Sequence, residues 1–90
     1  MGRRQGAKEA DLARQFGENL TLLRSRVGLT QMGTAERAGL NRSEIRLLEK
    51  GWRVPRLDTL LKVAGAVEVE PCELLRGMAW QLDPPKGGPS

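Results

Sequence analysis

The chain has no histidine and no tyrosine, a single cysteine, and only 3% aromatic residues, namely two Trp and one Phe. Without His there is no imidazole to move protons near neutral pH, and no Cys/His set with zinc-ligand spacing can be assembled. One Cys allows no intramolecular disulfide, which fits a reducing compartment. Ser25 and Ser43 have no base near them, so nucleophilic catalysis has no support. No apolar run approaches the roughly 20 residues needed to span a bilayer, and none resembles the apolar stretch of a signal peptide. These absences exclude an enzyme as the working class. They point to a cytoplasmic protein with an aliphatic core, no membrane association, and no metal, cofactor or small-molecule ligand. At 90 residues it forms one small domain.

Cations are in excess, with 15 Lys and Arg against 11 Asp and Glu and a sequence pI near 10.0. Such a balance fits nucleic acid, an anionic surface or plain solubility equally well. The pattern of apolar residues says more. Leu12, Phe16, Leu20, Leu23 and Val27 recur at helical spacing from about Lys8, and Gly28 stops the run after Arg24 and Arg26. Thr30 caps a second helix to Ala38, closed by Gly39, and Asn41 with Glu44 opens a third that Gly51 ends. Leu57, Leu60, Leu61 and Ala64 predict a fourth, and Pro71 opens a short fifth carrying Leu74 and Leu75. No strand pattern is present. The predicted fold is all-α: a compact five-helix bundle over residues 8–77. A flexible arm over residues 1–7 precedes it. A C-terminal extension over 78–90 follows, disordered from Asp83 onward.

The stretch from Thr30 to Arg56 carries the functional signal. Two short helices flank the connection Gly39-Leu40-Asn41, so they cross steeply and need a small residue where they meet. Ala35 fills that place, with Ile45 and Leu48 packing from the other side and Leu40 closing the corner. These are the requirements of a helix-turn-helix. At about 100° per residue, a core direction between Ile45 and Leu48 leaves Ser43, Arg46, Leu47 and Lys50 facing outward and Arg42 on the flank. Arg can donate two hydrogen bonds to guanine, Ser can bond a base edge, and Leu can touch a thymine methyl. The alternative is a face that is merely solvated. Against it stand the apolar Leu47 on the outward row and the balance of five cations (Arg42, Arg46, Lys50, Arg53, Arg56) to two acids, Glu44 and Glu49.

The segments GENLTLLRSRVGLTQ, AERAGLNRSEIRLLEKG and RVPRLDTLLKVAGAVEVEPCELL, spread from Phe16 to Leu75, resemble the lambda-repressor-like DNA-binding domain of the Cro/C1-type (XRE) regulators. The resemblance implies base contacts from Arg42, Ser43, Arg46 and Leu47. It implies phosphate contacts from Gln31, Asn41, Lys50, Arg53 and Arg56, and a structural ion pair between Arg24 and Glu49. Gly33 and Thr34 depart from the family pattern, so a second helix that is irregular or less stable is expected. Arg56 stands where a capping Ser or Thr is usual. Trp52 takes the place of a cation and is expected to cover the end of the core, in preference to lying against a sugar–phosphate. Cys72 is expected to be partly buried. Glu68, Glu70 and Glu73 lack a further ligand type and read as a solvated helix start.

The leading functional expectation is a sequence-specific, double-stranded DNA-binding transcriptional regulator of the repressor type. It would work as a homodimer on an operator, with Met78, Trp80 and Leu82 packing on the first helix or forming a dimer contact. The competing expectations are the antitoxin of a toxin–antitoxin pair and a protein-bridging coactivator built on the same fold.

Overall fold

The structure is a computed structural model that describes the backbone of residues 2–80 and 82 and the side chains of residues 8–80 and 82. The tail expected to be disordered from Asp83 lies outside the described residues. Five helices follow one another: α1 (Gly2–Arg26), α2 (Gln31–Ala38), α3 (Arg42–Glu49), α4 (Leu57–Ala66) and α5 (Pro71–Leu74). The described residues contain no strand, and none of their helices is long and apolar enough to cross a membrane. α1 starts at Gly2 rather than near Lys8, so the stretch expected as an arm continues the helix. It contains no Pro, and Arg3, Arg4, Gln5 and Ala7 are good helix formers. Extending an existing helix incurs no nucleation cost.

α2 is regular despite Gly33 and Thr34, which corrects the expectation of an irregular helix. The Gly33 N–H donates to the Thr30 hydroxyl oxygen at 2.9 Å, satisfying an orphan donor of the first turn. Thr34 is wholly buried, and its hydroxyl donates to the Thr30 carbonyl at 2.9 Å, so the buried polar group is not left unpaired. The turn to α3 is made by Gly39, which takes a left-handed conformation at φ 71° and lets the Leu40 N–H reach back to the Ala35 carbonyl at 2.9 Å.

α2 packs on α3 and α4, α1 packs on α3 and α5, and α4 meets α5. Their common core is Phe16, Leu20, Leu23, Ala35, Ile45, Leu48, Val63, Ala64, Val67 and Leu74, with Leu29, Leu40, Leu60, Val69 and Met78 packed at its edge. Three apolar residues that mark the expected helices lie outside this core. On α4, Leu57 and Leu61 are exposed while Val63 and Ala64, with Val67 just past the helix end, turn inward. Val27 is also exposed, because α1 has already ended at Arg26. Cys72 is exposed as well. Asn19 fastens α5 to α1, its amide donating to the Leu74 carbonyl at 2.8 Å and the Arg76 carbonyl at 3.0 Å.

The tightest approach is between α1 and the end of α3. A Cβ added at Gly17 would stand 2.5 Å from the Leu48 carbonyl oxygen and 2.7 Å from that of Glu49. Backbone cannot move aside as a flexible side chain can. Gly65 in α4, by contrast, has nothing within 4 Å of such a Cβ. The two glycines should therefore respond oppositely to alanine. Gly17→Ala should lower stability by about 1–3 kcal/mol through overpacking. Gly65→Ala should raise it by about 0.5–1 kcal/mol through helix propensity. Urea denaturation of both variants checks the pair of signs.

Candidate nucleic-acid interface

The inward side of α3 is settled by Ile45 and Leu48, both with almost no exposed surface. Opposite them Arg42, Ser43, Arg46 and Lys50 are exposed, as are Asn41 at the helix start and Arg53 and Arg56 beyond its end. Leu47 differs from the outward placement expected of it, since it is half-buried. The Trp52 N–H donates to the Leu47 carbonyl at 3.1 Å, closing this end of the helix. Leu47 therefore forms the shoulder of the row and not its crest.

The charges on this row are largely uncommitted. Among the described residues, Arg42, Arg46, Lys50 and Arg53 form no ion pair, and Arg56 has only Asp58 at 3.5 Å. Both acids of the segment are occupied. Glu44 accepts from the Asn41 N–H at 3.3 Å, which stabilises the start of α3. Glu49 points into the protein, its side chain 6% exposed. There it takes both donors of Arg24 that face it, from Nε to Oε2 and from Nη2 to Oε1 at 2.9 Å. Gln31 adds a third donor, Nε2 to Oε1 at 3.0 Å. Gln31, expected at a phosphate, thus has its amide N–H turned toward Glu49 and is half-buried.

Burial pushes the Glu49 carboxyl up, but the hydrogen bonds from Arg24 and Gln31 and the Arg24 charge together outweigh it. They hold the group below the usual carboxylate value of 4.5. The same hydrogen bond raises Arg24 above its ordinary value. The negative charge of Glu49 is thereby cancelled inside the molecule, and the outer face of α3 keeps its positive balance.

Trp52 does not cover the core. It is 70% exposed, and the Lys50 ammonium sits 4.6 Å from its ring centroid. The only hint of this pairing in the sequence is that the two residues flank Gly51. At the other end of the chain Met78 packs against the core, while Trp80 stays partly exposed with Lys8 Nζ 5.6 Å from its ring centroid. Met78 and Trp80 therefore lie back against the bundle, while Leu82 is exposed. No group of three or more His, Cys, Asp or Glu among the described residues is arranged to hold a metal ion.

Residues 15–76 match a family described as a helix-turn-helix domain. Over 65 residues the chain is 35% identical to the HTH-type transcriptional regulator y4dJ of Sinorhizobium fredii, covering 72% of this chain and 84% of that protein. The fold is similar to the restriction-modification controller protein C.AhdI of Aeromonas hydrophila, at 40% identity and TM-score 0.67 over 69% of this chain and 94% of that one. It is also similar to a hypothetical transcription factor, NHTF, from Neisseria, at 30% identity and TM-score 0.69 over 74% of this chain and 77% of that one. A transcriptional regulator of the HTH_3 family from Vibrio cholerae aligns at 25% identity and TM-score 0.71, over 74% of this chain and 38% of that one.

The pair between α1 and α3 makes stability depend on pH with a definite sign. A carboxyl held low in the folded state contributes fully above its unfolded value and loses that contribution as pH falls through the folded one. Glu49→Gln should cost about 3 kcal/mol at neutral pH by leaving Arg24 without its counter-charge. The gap between variant and wild type should narrow as pH falls below 4.5, the ordinary carboxylate value. Urea midpoints of both proteins across pH 3 to 7 check the sign; a constant gap would contradict it.

Proposed function

The chain belongs to the XRE-type helix-turn-helix transcriptional regulators, a DNA-binding, non-enzymatic family, and from that premise we propose that it is a cytoplasmic repressor reading the major groove of operator DNA with α3. Arg42, Ser43 and Arg46 are the base-contacting residues, with Leu47 at the edge of the contact. Lys50, Arg53 and Arg56 neutralise backbone phosphates on the flank of the groove, and Asn41 approaches the backbone at the start of α3, while Gln31 keeps its amide on Glu49 and orders the start of α2. The observation that carries this reading is the exposed Arg42–Ser43–Arg46 row, which forms no ion pair among the described residues on a helix whose other side is locked by Ile45 and Leu48. An arginine not engaged within the protein can turn its planar fork to guanine, and a cationic face releases counterions from the duplex.

The active form is a homodimer on two half-sites. One α3 supplies few base and phosphate contacts, and pairing doubles them across a palindrome. Leu57 and Leu61, one turn apart on α4 and exposed, supply apolar surface for pairing. Repression follows from occupancy of the promoter groove. The likeness to a restriction-modification controller over nearly all of that chain supports gene control of the same kind.

Titration against a duplex carrying the region upstream of its own gene, over a salt series, tests the proposal. Affinity should fall steeply with salt. Arg46→Ala should cost about 1–3 kcal/mol and flatten base preference at one position of the site. Arg53→Ala should weaken all sequences alike and reduce the salt slope by about 1. Binding that ignores salt, or base preference untouched by Arg46→Ala, would remove the proposal.

A further inference from the structure

We infer that Trp52 is itself a DNA-backbone contact, presenting the Lys50 ammonium from its ring face and laying its indole against the sugar–phosphate strand beside the groove. The inference rests on the reading of α3 as the groove-entering helix. Its first support is that Trp52 is 70% exposed, although burial of an indole is strongly favourable. Its second is that the position is rigid. Gly51, at φ 74°, closes α3 with the Gly51 N–H on the Leu48 carbonyl and the Trp52 N–H on the Leu47 carbonyl, each at 3.1 Å. That pair of bonds locks the residue after the glycine. The turn is also pressed against α1, since a Cβ at Gly51 would lie 2.9 Å from the Arg14 Cα. Trp52 is therefore held out by the turn.

Its surroundings identify the partner. Lys50 stands over the ring at 4.6 Å, and Arg46 and Arg53 lie before and after in the chain, both exposed. A cation over an indole face is drawn to the ring quadrupole and kept from wandering. The indole N–H remains a donor at the ring edge, suited to a phosphate oxygen. A second copy of this chain is a poor occupant, because a symmetric contact here would bring like-charged rows together. A polyanion with flat, apolar sugar edges between its charges satisfies both the ring and the cations.

The test uses the full chain with Trp80→Phe, so that Trp52 is the sole emitter, and a fluorescein-labelled duplex whose anisotropy reports binding independently. Trp52 emission should change on saturation with duplex, and its quenching by iodide should fall. Trp52→Ala should weaken binding about tenfold for the upstream duplex and for an unrelated one alike, with Trp52→Phe intermediate. Circular dichroism and thermal melting of Trp52→Ala should match wild type, as befits an exposed position. Bound duplex with unchanged Trp52 emission and an affinity for Trp52→Ala within twofold of wild type would overturn the inference while leaving the reading of α3 intact. An emission change with anionic phosphatidylserine vesicles but none with bound DNA would also overturn it. Failure of wild type to bind any duplex would remove the reading of α3, and this inference with it.

Discussion

The Glu49 carboxylate sits where three helices meet. It belongs to α3, takes two hydrogen bonds from Arg24 of α1, and takes a third from Gln31 at the start of α2. A charge this buried is tolerated only when its partners are in place, and the energetic asymmetry favours intact geometry over any slippage. Gly17 and Arg24, seven residues apart, fall on nearly the same side of α1. The close approach of Gly17 to the Leu48 and Glu49 carbonyls and the ion pair are thus two parts of one seam. Sliding or rotating α3 against α1 would break the pair or drive backbone into backbone. The orientation of α3 depends on this seam.

That orientation decides what the surface can do. With Glu49 turned inward and Glu44 occupied by the Asn41 N–H, both acids of the α3 segment have partners within the domain. The arginines of the outward row form no ion pair among the described residues. The same interaction that orders the interior therefore sets the electrostatics of the exterior. Core packing, through Ile45 and Leu48, thus sets the direction in which the outward row of α3 faces. Beyond the helix end, the Gly51 turn extends the cationic surface through Lys50, Trp52 and Arg53. It holds an aromatic ring in water where burial would otherwise be favoured.

Much of this was legible in the sequence, but unevenly. Thr30, Gly39, Asn41 and Pro71 mark helix ends by chemistry confined to a few neighbouring residues, and the boundaries they imply match the observed ones. α4 was legible as a helix, but which of its sides faces the core was not. From Leu57 to Val67 it has apolar residues on more than one side, so periodicity alone leaves its rotation open. Packing turned the more compact Val63, Ala64 and Val67 inward and left Leu57 and Leu61 out. Trp52 was misread for a related reason. Aromatic size favours burial on average, and nothing local to the residue shows that the Gly51 turn points it away.

By itself, then, the amino-acid order determined the helical class, the places where α2, α3 and α5 start, and a cationic row on the third helix. These follow from capping, glycine conformation and a 3.6-residue repeat, all of which act within about one helical turn. The tertiary structure alone decided which of two apolar stripes on α4 is core, that Gln31 turns to Glu49, and that Trp52 stands in solvent beneath Lys50. Each of those outcomes depends on atoms distant in the chain or on the direction a turn leaves its helix, which residue spacing does not encode.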